Sequence, residues 1–181
     1  MKTPTISPQK RKKVQTLDSD ITYAFQFRKP KEDDGSAIWN LVKKTQVLDL
    51  NSSYSYLMIC KYFRDTCVIA ESEGQIVGFV SAFIPPASKN SVFVWQVAVD
   101  TSQRGKGLGK ALLIELLNRK TCHSVSYLET TVTPSNIPSQ SLFKSIAHEL
   151  DTDCQISECF PENFFPDEHH ESEWTYRIGP F

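Results

Sequence analysis

The run from Val94 to Leu113, VWQVAVDTSQRGKGLGKALL, sets an apolar stretch directly before a glycine-rich loop and a helical pattern. Within it, Arg104-Gly105-Lys106-Gly107-Leu108-Gly109 leaves successive backbone N–H groups unscreened by bulky side chains. They fall where the positive end of the next helix would lie, and such an end binds phosphate through exposed amides and the helix dipole. Two nucleotide readings fail on spacing. A P-loop needs a Ser or Thr after its Gly-Lys pair, but Lys110 is followed by Ala111. A dinucleotide fingerprint needs G-x-G-x-x-G, and this loop lacks the third glycine in register. A turn that only reverses the chain is the plainer alternative.

A second concentration of reactive side chains lies between Asp151 and Glu173, with eight Asp/Glu, no Lys/Arg, and His169 and His170 inside it. The acids do not follow EF-hand spacing, and adjacent histidines seldom bind one ion together, so a solvated acidic loop is expected and no metal. The five cysteines, at 60, 67, 122, 154 and 159, show no CxxC pair. Free thiols are therefore expected.

The loop at Arg104 resembles the R/Q-x-x-G-x-G/A signature of the GCN5-related N-acetyltransferase superfamily. The segments VWQVAV, ETTVTPSN and SQSLFKSIA follow in matching order, and the likeness runs from Phe25 onward. What it implies is acetyl-CoA as co-substrate, entering a gap between two splayed parallel strands. The resemblance assigns backbone contacts to Gln96, Val97 and Val99. It assigns pyrophosphate contacts to Arg104, Gly105, Lys106, Gly107, Leu108, Gly109 and Lys110, and a pantetheine-side contact to Asn136. Many members place a tyrosine in the following helix to protonate the departing thiolate; Phe143 stands there in this chain. Phe143 stays beside the cofactor in this assignment, yet it has no proton to give.

VLDLNSSYSYL, FVWQVAV, TVTPSN and the closing YRIGP lie mostly outside the cofactor loop. They resemble the branch of the superfamily that acetylates the γ-amine of L-2,4-diaminobutyrate, a small diamino acid, for ectoine synthesis under osmotic stress. A homodimer is implied by the same analogy. Another small amine, such as a polyamine, and a CoA-binding sensor without turnover stay open as alternatives.

Acetylating an amine that is protonated near neutral pH requires a group to take its proton. Asp49, Tyr54, Glu129, His170 and Glu173 supply candidates. Asp49 and Glu173 are expected to bind the two amines and, with Tyr54 positioning the attacking one, to form the catalytic set; His170 would line the same pocket. Trp95 is expected to wall the substrate cation. The Val97 N–H would stabilise charge developing on the thioester oxygen. Plainer roles exist for each: Asp49 as a helix cap, Tyr54 as half-buried surface, Trp95 as core.

These residues must be carried by alternating strands and helices. FQFRKP reads as a strand; EDDGSAIWNLVKK as a helix with Ile38, Leu41 and Val42 on one face after a capping Asp; NSSYSYLMICKYF as a helix capped by Ser52 or Ser53. TCVIAE and IVGFVSAFI flank a hairpin turn at SEGQ. SVFVWQVAV, VSYLETTV and EWTYRI are further strands, and LGKALLIELLNRK and SQSLFKSIAHEL further helices, the last begun after Pro138. The expected class is α/β (α+β), one domain over residues 24–181 with a mixed sheet between helices.

Composition removes other classes. The chain has 181 residues and net charge −1; its first twenty residues carry +3, which leaves −4 for the rest. A mildly acidic body is not a nucleic-acid footprint. No run of eighteen apolar residues marks a membrane span, so the expected compartment is the cytoplasm. Residues 1–23 read as a flexible basic arm.

Overall fold

The computed structural model describes residues 24–166 and 170–181; the basic arm expected over 1–23, and His169, lie outside the described residues. Seven strands form one sheet in the order β1-β2-β3-β4-β5-β7-β6. They are β1 (Gln26–Arg28), β2 (Val68–Ser72), β3 (Gln75–Phe83), β4 (Ser91–Val99), β5 (Tyr127–Val132), β6 (Cys154–Phe160) and β7 (Glu173–Ile178). Only β4 and β5 run parallel; every other neighbouring pair is antiparallel.

Helices α1 (Gly35–Thr45) and α2 (Ser53–Tyr62) cover one face, α3 (Leu108–Asn118) and α4 (Ile137–Glu149) the other. On the first face Ile38, Val42 and Tyr56 pack with Phe79 and Ala98. On the second, Leu108, Leu112 and Leu116 of α3 pack with Val80, Val92 and Leu128. Burial of these two apolar stripes, each several side chains worth ~1.5–3 kcal/mol, holds the helices to the sheet.

Local chemistry explains the boundaries. The hairpin between β2 and β3 turns on Glu73 and Gly74, both at positive φ, 52° and 74°, which matches the twist of the strands it joins. The Ser52 side chain accepts the Ser55 N–H and starts α2. Asp34 does not cap α1 through its side chain; it is held by the Arg28 guanidinium at 2.7 and 2.8 Å, and this pairing outweighs a cap. Proline 138 sits inside the first turn of α4, not before it. That is the helix position where a missing N–H costs nothing.

One strand has no clear sequence signal. The segment expected to be a solvated acidic loop contains β6, paired antiparallel to β7. It is an edge strand exposed along most of its length, so one-sided burial never imposed an apolar alternation on it.

After β7 the backbone closes on Gly179, at φ 134°, where an added Cβ would lie 2.4 Å from the Ser126 carbonyl oxygen. Gly179→Ala therefore forces the C-terminal strand away from the start of β5. The expected loss is about 3 kcal/mol or more, a Tm drop of roughly 10 °C in a chain of this size. A thermal melt of the variant reads it.

Candidate functional site

The site begins where the parallel pair separates. Strand β4 is paired to β5 from Ser91 to Val94, ending at Thr130, and from Gln96 onward it is paired only to β3. The N–H groups of Gln96 and Asp100 point to the β3 side, donating to Ser81 Oγ and the Val77 carbonyl. By alternation the backbone groups of Val97 and Val99 face the opening. An opened strand edge of this kind accepts an extended, amide-bearing ligand as though it were a further strand.

Above the opening lies a groove of about 870 Å³. Val97, Val99, Arg104, Gly105, Gly107, Leu108, Gly109, Lys110 and Asn136 line it. Gly107, in the left-handed region at φ 77°, is the residue before α3, and Gly105 takes the same conformation at φ 75°. These glycines turn the loop so that the first N–H groups of α3, which have no partner within the helix, open into the groove. Arg104 also donates to the Thr45 carbonyl at 3.3 Å, and Lys110 pairs with Glu149 at 2.8 Å. Both cations thus stay at the rim.

Three residues assigned to the cofactor are not among those that line the groove. Lys106 reaches back to Gln103 at 2.9 Å and is not among the lining residues. Phe143 is 3% exposed, in the core beneath α4; its neighbour Leu142, with Ser141 and Ser145, faces the groove instead. Gln96 spends its N–H on β3 and turns its side chain to the opposite face, where Tyr56 Oη donates to it.

The reason for the Gln96 placement is a bulge. Ser81 pairs with Gln96 but Ala82 with Val94, so Trp95 is an extra residue in β4. The extra residue shifts the alternation: Val92, Val94, Val97 and Val99 share the α3 face, while Gln96 and Ala98 meet α2. No sequence period predicts that shift.

On the α2 side the structure gathers several sequence candidates. Asp49 is exposed, and its charge reaches Glu173. It does not cap α2, since Ser52 does. Glu173, at the start of β7, has one carboxylate oxygen, Oε2, buried with no hydrogen-bond partner among the described residues. Burial raises the Glu173 pKa above the ordinary carboxylate value. A hydrogen bond from Thr131 and the His170 charge work against the rise, while Asp49 and Glu171 add to it. His170 Nδ1 lies 2.7 Å from the Glu171 carbonyl oxygen, which can only accept, so Nδ1 carries a proton. The ring stacks on Phe165 at 3.6 Å. Glu171 in turn binds the backbone and hydroxyl of Ser135, tying this loop to the start of α4.

Other candidates lie apart from this cluster or are otherwise engaged. Tyr54 is 67% exposed on the first turn of α2. Trp95, half exposed, lines a separate apolar cavity of about 310 Å³ with Phe63 and Phe83. It is therefore not core. Glu129 is taken by Arg177, its cross-strand partner, and by Ser91. Among the described residues no group of three or more His, Cys, Asp or Glu is gathered to hold a metal ion, and no helix is long and apolar enough to cross a membrane. Sequence reading missed Tyr56, the fully buried neighbour of Gln96. Its position two residues after Tyr54, on the apolar face of α2, was the available signal.

A parallel pair that parts beside an anion-binding helix end is the architecture of acetyl-CoA-dependent acyl transfer. Residues 36–147 match the acetyltransferase (GNAT) family, and the chain belongs to that family. Its relatives narrow the class. It is 57% identical over 155 residues to the L-2,4-diaminobutyric acid acetyltransferase of Marinococcus halophilus, covering 86% of this chain and 90% of that one. It is 53% identical over 165 residues to the enzyme of the same name from Halalkalibacterium halodurans, covering 91% and 85%. Among solved structures it is similar to diaminobutyrate acetyltransferase EctA from Paenibacillus lautus in complex with its substrate L-2,4-diaminobutyric acid and coenzyme A. That likeness has a TM-score of 0.84 at 46% identity, over 86% of this chain and 95% of that chain.

Proposed function

We propose that this chain transfers the acetyl group of acetyl-CoA to the γ-amine of L-2,4-diaminobutyrate, giving N4-acetyl-L-2,4-diaminobutyrate for ectoine synthesis. The observation that carries the reading is the buried Oε2 of Glu173, which has no hydrogen-bond partner among the described residues, on the substrate side of the strand gap. A desolvated carboxylate with a spare acceptor site is offset best by a cation that brings its own N–H donors. The names of the relatives support the diamine as that cation.

In this reading the pyrophosphate lies on the amides of Gly107 to Lys110 with Arg104 at the rim, and the thioester enters the gap beside Val97. Asn136, whose Oδ1 caps α4 by accepting the Ser139 N–H, contacts the pantetheine side. Asp49 and Glu173 bind the two amines, His170 completes the wall, and Tyr54 and Trp95 close over the substrate from α2 and the bulge. The attacking nitrogen loses a proton, forms the N–C bond as the C–S bond breaks, and the electron pair leaves on sulfur. Glu173, its pKa already raised, is better matched to accept that proton than an ordinary carboxylate. The Val97 N–H meets the oxygen on which charge develops. Phe143 cannot protonate the thiolate, whose modest pKa lets it depart without that help. Burial pushes Cys60 up to about 11 and Cys67 up to about 12. Neither thiol is a nucleophile at neutral pH, which supports direct transfer over an acetyl-cysteine.

The same proposal takes residues 24–181 as the working unit, in a cytoplasmic homodimer. The test is release of CoA thiol with L-2,4-diaminobutyrate, its D-isomer, ornithine, lysine and spermidine, with the acetylated nitrogen located by NMR. Selective γ-acetylation of the L-isomer is expected. Preference for spermidine would replace the substrate, and binding of CoA with no thiol release on any amine would replace the enzyme by a sensor.

A further inference from the structure

Segment 45–49 joins α1 to the approach of α2 and serves both sides of the gap. Thr45, Val47 and Leu48 line the cofactor groove, while Asp49 lies near enough for its charge to act on Glu173. Beyond Thr45, the last residue of α1, the segment leaves regular structure and needs its own fastening. At its first residue the Arg104 guanidinium donates to the Thr45 carbonyl. At its last, Gln96 Nε2 donates to the Asp49 carbonyl at 2.8 Å. Gln96 is itself set: Tyr56 Oη donates to its Oε1 at 3.1 Å, its N–H is taken by Ser81, and it is 6% exposed beside a fully buried Tyr56. The Asp49 carbonyl can only accept, so the Gln96 NH₂ must face it, and Tyr56 Oη then donates to the Oε1 left on the other side and holds the amide in that sense.

We propose that Tyr56 and Gln96 are a positioning pair for the amine-binding site: through the Asp49 carbonyl they set the Asp49 carboxylate against Glu173. The inference rests on the proposed role of Asp49. The bulge at Trp95 makes the pair possible by turning Gln96 from the cofactor face to the α2 face.

Two measurements test it, on Tyr56→Phe, which keeps the buried ring, and Gln96→Glu, which keeps the length but puts an oxygen against the Asp49 carbonyl. Hydrogen–deuterium exchange over residues 46–52 is expected to quicken in both variants while exchange in β3 and β4 stays slow; unchanged exchange in that segment overturns the brace. In kinetics, Tyr56→Phe is expected to raise KM for the diamine roughly fivefold, the worth of one buried hydrogen bond, with KM for acetyl-CoA moved less, since Arg104 holds the other end. In an Asp49→Asn background the same Tyr56→Phe change is expected to add nothing. Full additivity of the two substitutions would show that the pair does not act through Asp49 and would overturn the proposal. Asp49→Asn with unchanged KM would instead fell the underlying assignment of Asp49, and the positioning role with it, while leaving the exchange result standing as a purely structural brace.

Discussion

Glu173→Gln is expected to lower kcat/KM for the diamine by roughly 100-fold or more while leaving KM for acetyl-CoA close to its original value. Removing one member of a desolvated charge pair costs about 2–5 kcal/mol, and about 2.7 kcal/mol is already a hundredfold. The variant keeps the side chain's size and its place beside Thr131 but removes the charge on a carboxylate whose Oε2 has no partner among the described residues. The pH dependence follows from the direction of the shift. Because the folded pKa lies above the ordinary one, amine recognition by the ionised form is lost on acidification at a higher pH than for an exposed carboxylate. The acid limb of log kcat/KM should therefore begin above the usual Glu range and vanish in the variant. Stability runs the other way. A carboxyl raised by folding contributes most below its unfolded pKa, and that contribution is lost as pH rises through the folded pKa. Near neutral pH the free Gln variant should thus melt no lower than the parent, with no gain in strong acid. Activity within threefold of the parent would remove Glu173 from the site.

Gly107→Val is expected to raise KM for acetyl-CoA about 30-fold with little change in KM for the diamine. Gly107 holds φ 77° as the residue leading into α3. A β-branched residue is strained there by about 2 kcal/mol, which corresponds to that factor if it is relieved by turning the loop away. The turn carries the amides of Leu108, Gly109 and Lys110 off the groove. Loss of pyrophosphate contacts then registers as weaker cofactor binding, measurable by titration with CoA as well as by kinetics. Unchanged CoA affinity would mean that the helix end does not hold the phosphates.

Much of the scaffold was readable because its causes are local. Strong apolar periods mark α1, α3 and β3, Glu73-Gly74 marks a hairpin, and Ser52 marks a helix start. The glycine loop is also local chemistry: glycines that permit positive φ, followed by a helix, place amides wherever the rest of the chain lies. Strand β6 escaped because an exposed edge imposes no pattern, and the Asp34 cap failed because a guanidinium from β1 competed for the same carboxylate.

By itself the sequence determined the kind of domain, the anion-binding helix end and the residue types available to handle an amine, since each depends on neighbours a few positions away. Only the tertiary structure decided which of them face one another. Asp49 comes from the link between α1 and α2, whereas His170 and Glu173 lie together at the approach to β7, and it is the fold, not spacing, that brings the first near the other two. The bulge at Trp95 decided that Gln96 serves the amine side and that Val97 serves the gap. Phe143, placed by its motif beside the cofactor, went to the core because it shares with Ile146 and Ala147 the face of α4 that packs on the sheet.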